Sequence, residues 1–143
     1  MQRALDTIVP GFQLWDSTAY APEVLHYYRP TRRQQPWAVI GDFNGDGIRD
    51  IMLDGHVGRR ALLVALVSQS SRFRTVLVDS NFAERAGQRI NYLEYKAPGR
   101  YGTNYNGEHF VLRRDGVECI IFDKAADLLY WVRDHFERFS TAD

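Results

Sequence analysis

Two short apolar runs, Trp37-Ala38-Val39-Ile40 and Ile51-Met52-Leu53, flank the stretch Asp42-Phe43-Asn44-Gly45-Asp46-Gly47-Ile48-Arg49-Asp50. Three acids, an amide and two glycines packed so closely cannot continue either run. Glycine adopts positive φ without a Cβ penalty, so Gly45 and Gly47 let the chain reverse sharply. The natural reading is strand, loop, strand. Three carboxylates this close also repel one another, so the expectation is a loop poorly ordered when nothing neutralises it.

The rest of the chain repeats the pattern of short apolar segments and turns. Residues 61–68 hold the longest apolar run, Ala-Leu-Leu-Val-Ala-Leu-Val, which suits a buried strand and is far shorter than the ~20 residues a bilayer span requires. Residues 55–60 read as a turn, 69–72 as another, and 73–78 alternate as a strand, giving an antiparallel meander. Residues 81–88 read as one or two helical turns and 89–95 as a strand. Residues 96–107 read as a long polar loop. The clearest hairpin signal is Asp115-Gly116 between the runs 109–113 and 117–122. Near the N-terminus, residues 21–28 carry Pro22 early and Glu23, Val24, Leu25 and Tyr28 after it, which predicts a short helix with proline in its first turn.

One domain is expected from 143 residues, since a chain of that length buries a single core without staples. Within it, residues 1–36 form a lead-in containing the helix, 37–80 the acidic loop and meander, and 89–143 the C-terminal hairpins. A hydrophobic content of 45% with 13% aromatics excludes a disordered chain. The aromatic and β-branched weighting leans toward strands. The fold class read here is mainly β, α+β at the margin: an antiparallel meander or sandwich of about seven to nine short strands. Eighteen basic residues balance eighteen acidic ones, so no global field draws nucleic acid or an anionic membrane. Cys119 stands alone in an apolar setting, which excludes an intramolecular disulfide and suggests a small buried hydrophobe.

The acidic loop carries the chemistry. A hard cation such as calcium takes six to eight oxygens at about 2.3–2.6 Å. Asp42, Asn44 and Asp46 have the alternate spacing that turns side chains toward one point; the backbone carbonyl of Ile48 and the carboxylate of Asp50 follow two residues apart. The first nine positions match an EF-hand, but Leu53 stands where that motif needs a bidentate Glu and the flanks read as strands. An EF-hand is therefore rejected. From Gly41 to Ile51 the sequence Gly-Asp-Phe-Asn-Gly-Asp-Gly-Ile-Arg-Asp-Ile resembles an FG-GAP or VCBS-type repeat, whose calcium loop joins two strands in integrin-like propellers and in many small exported bacterial proteins. That resemblance implies Ca2+ as cofactor, with Asp42, Asn44, Asp46, Ile48 (carbonyl) and Asp50 as ligands. A complete propeller needs at least four blades of about 40 residues, so only a single copy fits. Asn104-Tyr105-Asn106-Gly107-Glu108 echoes the loop, but Leu112 occupies the closing acid position.

Two readings compete for residues 125–139. Ala125, Leu128, Leu129, Val132, Phe136 and Phe139 recur at helical spacing. The ending of the chain is similar to small exported bacterial proteins that finish with an apolar hairpin containing a Tyr-Trp pair, here Tyr130-Trp131, and that likeness makes a hairpin the expectation.

For function, His26, His56, His109 and His135 lack the spacing of a zinc site, and no nucleophile elbow or phosphate loop is present. The expectation is a non-enzymatic, calcium-stabilised protein-interaction module acting outside the cytoplasm, with no nucleic-acid partner and no membrane insertion. The alternative is a periplasmic immunity or inhibitor protein that blocks a toxin or hydrolase; a calcium-dependent hydrolase using Asp54 and His56 ranks third. Tyr95, Arg100, Tyr101 and Tyr105 are candidate partner-binding residues, since Tyr and Arg anchor interfaces. Residues 1–10 lack the basic start and apolar stretch of a secretion signal. The chain is then either cytoplasmic or, as the resemblance implies, periplasmic or secreted with its signal removed.

Overall fold

The computed structural model describes residues 9–102 and 107–142. In chain order these form β1 (Gln13–Leu14), a 3-10 turn (Ser17–Ala19), α1 (Pro22–Tyr27), β2 (Gln34–Gln35), β3 (Ala38–Gly41), β4 (Asp50–Val57) and β5 (Arg60–Gln69). There follow β6 (Arg72–Phe82), β7 (Asn91–Lys96), β8 (Gly99–Gly102), β9 (His109–Leu112), β10 (Gly116–Ile121), β11 (Ala125–Val132) and β12 (His135–Ala142). The fold is mainly β and antiparallel, with twelve strands among the described residues where the sequence suggests about seven to nine.

One sheet runs β2-β3-β4-β5-β6, with β1 added beside the far end of β4; a second runs β12-β11-β10-β7; β8 and β9 form a separate ribbon. The principal core lies between the two larger sheets, where Val39, Met52, Leu63, Ala65 and Val67 meet Leu93, Val117 and Leu129 around Phe43. Successive strand residues face opposite sides. The other side of β5 therefore presents Leu62, Val64 and Leu66, which bury with Phe12 and Leu53 in a second cluster. Burial on both faces is what a continuous apolar run demands, because an exposed face would leave half of it in water.

The expected helix appears, with Pro22 at its first turn. Val24, Tyr20 and Tyr28 pack on Tyr92, whose neighbour Leu93 points into the principal core. The helix thus covers the outer face of the second sheet, and Tyr28 Oη donates to the Leu93 carbonyl at 2.6 Å.

Several expectations are corrected. Strand β4 continues through Gly55 and His56, so the turn shrinks to Gly58-Arg59. Gly55 stands in the strand because β1 crosses it: a Cβ there would meet the Gln13 carbonyl oxygen at 2.3 Å and the Phe12 ring at 2.5 Å. Residues 81–88 contain no helix; β6 runs on to Phe82 along the full length of β5, and the Ala83 N–H then donates to the Arg59 carbonyl. The 96–107 loop contains β8, which pairs with β9. The hairpin read around Asp115-Gly116 does not form: β10 pairs instead with β7 and β11. Gly116 opens β10 where a Cβ would meet Leu112 and the Leu129 carbonyl oxygen at 3.0 Å, while Asp115 has other partners, described below. Residues 125–142 form the β11–β12 hairpin, turning at Arg133-Asp134 with Arg133 at φ 57°. The helical spacing fails there because Leu128 and Leu129 are both fully buried, on opposite faces of one strand.

Substituting Gly55→Ala forces a methyl into the β1–β4 contact. The expected cost is about 2 kcal/mol or more, read as a lower urea midpoint at unchanged m-value.

Candidate metal centre

Residues 42–49 connect β3 to β4, whose ends pair through Gly41 and Asp50. Gly45 and Gly47 hold φ of +77° and +84°, the left-handed conformations that the sequence requires of them. Inside the turn the side chains cap the backbone. Asp42 Oδ1 accepts from the N–H groups of Gly45 (2.8 Å) and Asp46 (3.1 Å), and Oδ2 from Gly47 (2.8 Å). Asp46 Oδ1 accepts from the Ile48 N–H at 2.9 Å, and Asn44 Oδ1 from the Asp46 N–H at 3.2 Å.

The loop is also fastened to β5. Asp50 is buried, at 1% exposure; its Oδ2 accepts from the Phe43 N–H and its Oδ1 from the Ser68 N–H, both at 2.8 Å. Burial raises the Asp50 pKa, and these backbone donors oppose the rise. Ser68 Oγ donates to Asp46 Oδ2, and the Ser68 carbonyl accepts from Asn44 Nδ2 at 2.7 Å. The Ser68 hydroxyl is the main cause of a lowered Asp46 pKa. Ser68 escaped sequence reading because nothing local marks a serine eighteen residues beyond the loop.

Two further residues come from the other side of the molecule. Asp115 Oδ2 accepts from the Asp42 N–H at 2.9 Å and its Oδ1 from Tyr95 Oη at 2.7 Å. Arg114 Nη1 donates to the Asn44 carbonyl at 2.8 Å. The residues expected to make a turn thus stitch the loop to the second sheet. Tyr95 belongs to this internal network: its hydroxyl also accepts from Arg33 Nη1 at 2.7 Å, and its ring packs on the principal core. Arg100 is exposed on β8, Tyr101 Oη donates to the Ala97 carbonyl at 2.6 Å, and Tyr105 lies outside the described residues. The echo motif at 104–108 falls largely outside them too.

Asp42, Asn44, Asp46 and Asp50 supply only hard oxygen donors, and one oxygen of each carboxylate, Asp42 Oδ2, Asp46 Oδ1 and Asp50 Oδ1, accepts a single N–H and keeps lone-pair capacity beyond it. In kind this donor set fits calcium. In arrangement the acids are spread around the turn: among the described residues no three His, Cys, Asp or Glu side chains converge as a metal-holding group. The carboxylates instead answer their mutual repulsion by facing amide and hydroxyl donors, a source of order that the sequence reading did not anticipate.

Asp54 and His56 sit elsewhere. Asp54 lies four residues along β4 from Asp50, roughly 13 Å at strand rise. It is buried at 4% exposure against buried Arg89, with Oδ2 on Arg89 Nη2 at 2.5 Å and Oδ1 accepting from Trp15 Nε1 at 3.2 Å. Glu84 holds the other arm of Arg89 at 2.9 Å. His56 stacks on Trp15, ring centroids 4.2 Å apart. The cluster joins the end of β1, β4 and the segment before β7, and among the described residues no hydrogen bond or ion pair of its side chains reaches the acidic loop. Cys119 is part-buried against the principal core, where burial pushes its thiol up to about 12. Comparison with protein-family models, curated proteins and solved structures finds no match for this chain.

Two outcomes follow from these contacts. Burial pushes the Asp54 carboxyl up to about 6, against the opposing pull of Arg89. An aspartate in the unfolded chain titrates near 3.9. Between about pH 4 and pH 6 the folded state therefore holds a proton that the unfolded state has released, and this group's contribution to stability falls as pH rises through the window. The melting midpoint of the wild type minus that of Asp54→Asn should slope downward to about pH 6 and then level off. Asp115→Ala, which orphans the Asp42 N–H and frees the Tyr95 hydroxyl, should cost about 1–3 kcal/mol in urea denaturation, and Tyr95→Phe about 1.

Proposed function

We propose that this chain is a non-enzymatic protein-interaction module stabilised by calcium and acting outside the cytoplasm. The observation that carries the calcium reading is a turn with oxygen donors alone, whose two glycines take positive φ and whose closing carboxylate, Asp50, is buried and bonded to the neighbouring strand. Asp42, Asn44, Asp46, the carbonyl of Ile48 and Asp50 would hold the ion. When bound, it supplies positive charge to three carboxylates that otherwise rely on N–H and O–H donors. The chain's own residues hold the frame: Ser68 keeps Asp46 and Asn44 against β5, and Asp115 keeps the start of the turn against the second sheet.

The extracellular setting fits because calcium there is abundant enough to fill even weak sites. At a hundred times its dissociation constant the ion adds about 2.7 kcal/mol to folding stability. The non-enzymatic reading is supported by the states of Asp54 and His56, one locked in a buried ion pair and the other stacked on Trp15. Arg100 stays within the interaction surface on the exposed ribbon, whereas Tyr95 serves inside the protein.

Melting curves in calcium, magnesium and chelator decide the matter. Calcium should raise the midpoint clearly more than magnesium does, and Asp46→Ala should abolish the difference. Equal midpoints in all three conditions would refute the site.

A further inference from the structure

Beside the acidic turn the two sheets part into a groove. It comprises two adjoining cavities, of about 410 and 450 Å³, that share Arg114, Trp131 and Arg133 as walls. Arg113 borders the first and Arg74 the second. Four exposed arginines, from β6, the β9–β10 connection and the β11–β12 turn, thus line the groove in a chain whose formal net charge is zero. Among the described residues the side chains of Arg74, Arg113 and Arg133 make no hydrogen bond or ion pair, and Arg114 uses one arm on the Asn44 carbonyl. The two acids on the walls are already engaged. Asp115 accepts from the Asp42 N–H and Tyr95 Oη and pairs with Arg33 at 3.8 Å, and Asp134 is 2.9 Å from the His135 ring and feels the charge of Arg74, which leaves Arg113 and Arg133 as the arginines with no acid beside them.

The geometry points to this groove as a binding site for an extended acidic peptide with aliphatic residues among its acids. Guanidinium forks bind carboxylates bidentately, which makes arginine the preferred partner of Asp and Glu side chains. The first cavity adds apolar surface suited to aliphatic side chains: Phe110 lies beside Tyr130 with ring centroids 4.3 Å apart, and Trp131 lines the same cavity. The assignment rests on the interaction-module reading only in taking the partner to be a protein, and it does not require the ion.

The test is fluorescence anisotropy with a dye-labelled peptide of alternating Glu and Leu, at low and high salt, in calcium and in chelator. The Glu peptide should bind at low salt and dissociate as salt screens the charges. Arg113→Glu and Arg133→Glu should each weaken binding by about tenfold or more, while Arg59→Glu, at the opposite end of β4 and β5, leaves it unchanged. Equal binding of a Gln-Leu peptide, or affinity unchanged in both groove variants, would overturn the site. Displacement by polygalacturonate or single-stranded DNA as effective as by unlabelled peptide would overturn the peptide assignment. Binding in chelator as in calcium supports the groove even if the melting experiment removes the ion. Cleavage of the peptide, read by mass spectrometry, would refute the non-enzymatic reading, while the binding itself would still stand in favour of the groove.

Discussion

A carboxylate with 1% of its surface exposed must find donors or abandon its charge, and Asp50 finds them on two separated segments. Its oxygens accept from the backbone of Phe43, at the start of the turn, and of Ser68, near the end of β5. That one side chain closes the loop on itself and clips it to the strand in the middle of the principal core. Phe43, fully buried beside it, plugs the end of the core and meets Phe136 edge-on at 5.9 Å. The loop therefore serves as a lid on the sandwich as well as a set of oxygen donors.

The two sheets are then joined by polar bridges at separate places. Near the acidic turn, Asp115 links the loop to Tyr95 of the second sheet, with Arg33 completing the network. Elsewhere, Arg89 binds buried Asp54 and half-exposed Glu84 while its guanidinium lies 4.9 Å from the Trp15 ring. Removing one partner from such a pair leaves an uncompensated buried charge, so these groups specify how the layers sit even where their net contribution to stability is small. The groove inherits its charge from the same layout: Asp115 turns inward to the Asp42 N–H and Tyr95, and Arg113, Arg114 and Arg133 are left exposed.

Much of this was legible in the chain. The turn with its two positive-φ glycines, the strands on either side, the doubly buried 61–67 run and the proline-led helix all follow from local composition. What misled was sequence proximity. Asp115-Gly116 has the composition of a hairpin turn, yet its carboxylate is worth more as an acceptor for the Asp42 N–H, seventy-three residues away. Gly55 looked like a turn residue and is a strand residue pressed against another backbone. Residues 125–139 carried a helical period because two adjacent leucines, Leu128 and Leu129, are both buried, on opposite faces of one strand. Ser68, Arg114 and Asp115 could not be found as loop partners, since nothing in a linear chain marks an acceptor that is satisfied from a distant strand.

The sequence by itself determined the local conformations: where the backbone must reverse, which segments must be buried on both faces, and that a nine-residue stretch carries oxygen donors at alternate positions. These depend on steric preference and hydrophobic period, which act over a few residues. Only the tertiary structure decided which strands pair, that the loop's acids are capped by N–H and O–H groups, and that four arginines share one groove. Those outcomes depend on satisfying buried polar groups across long separations, and a donor's partner exists only once the layers have packed.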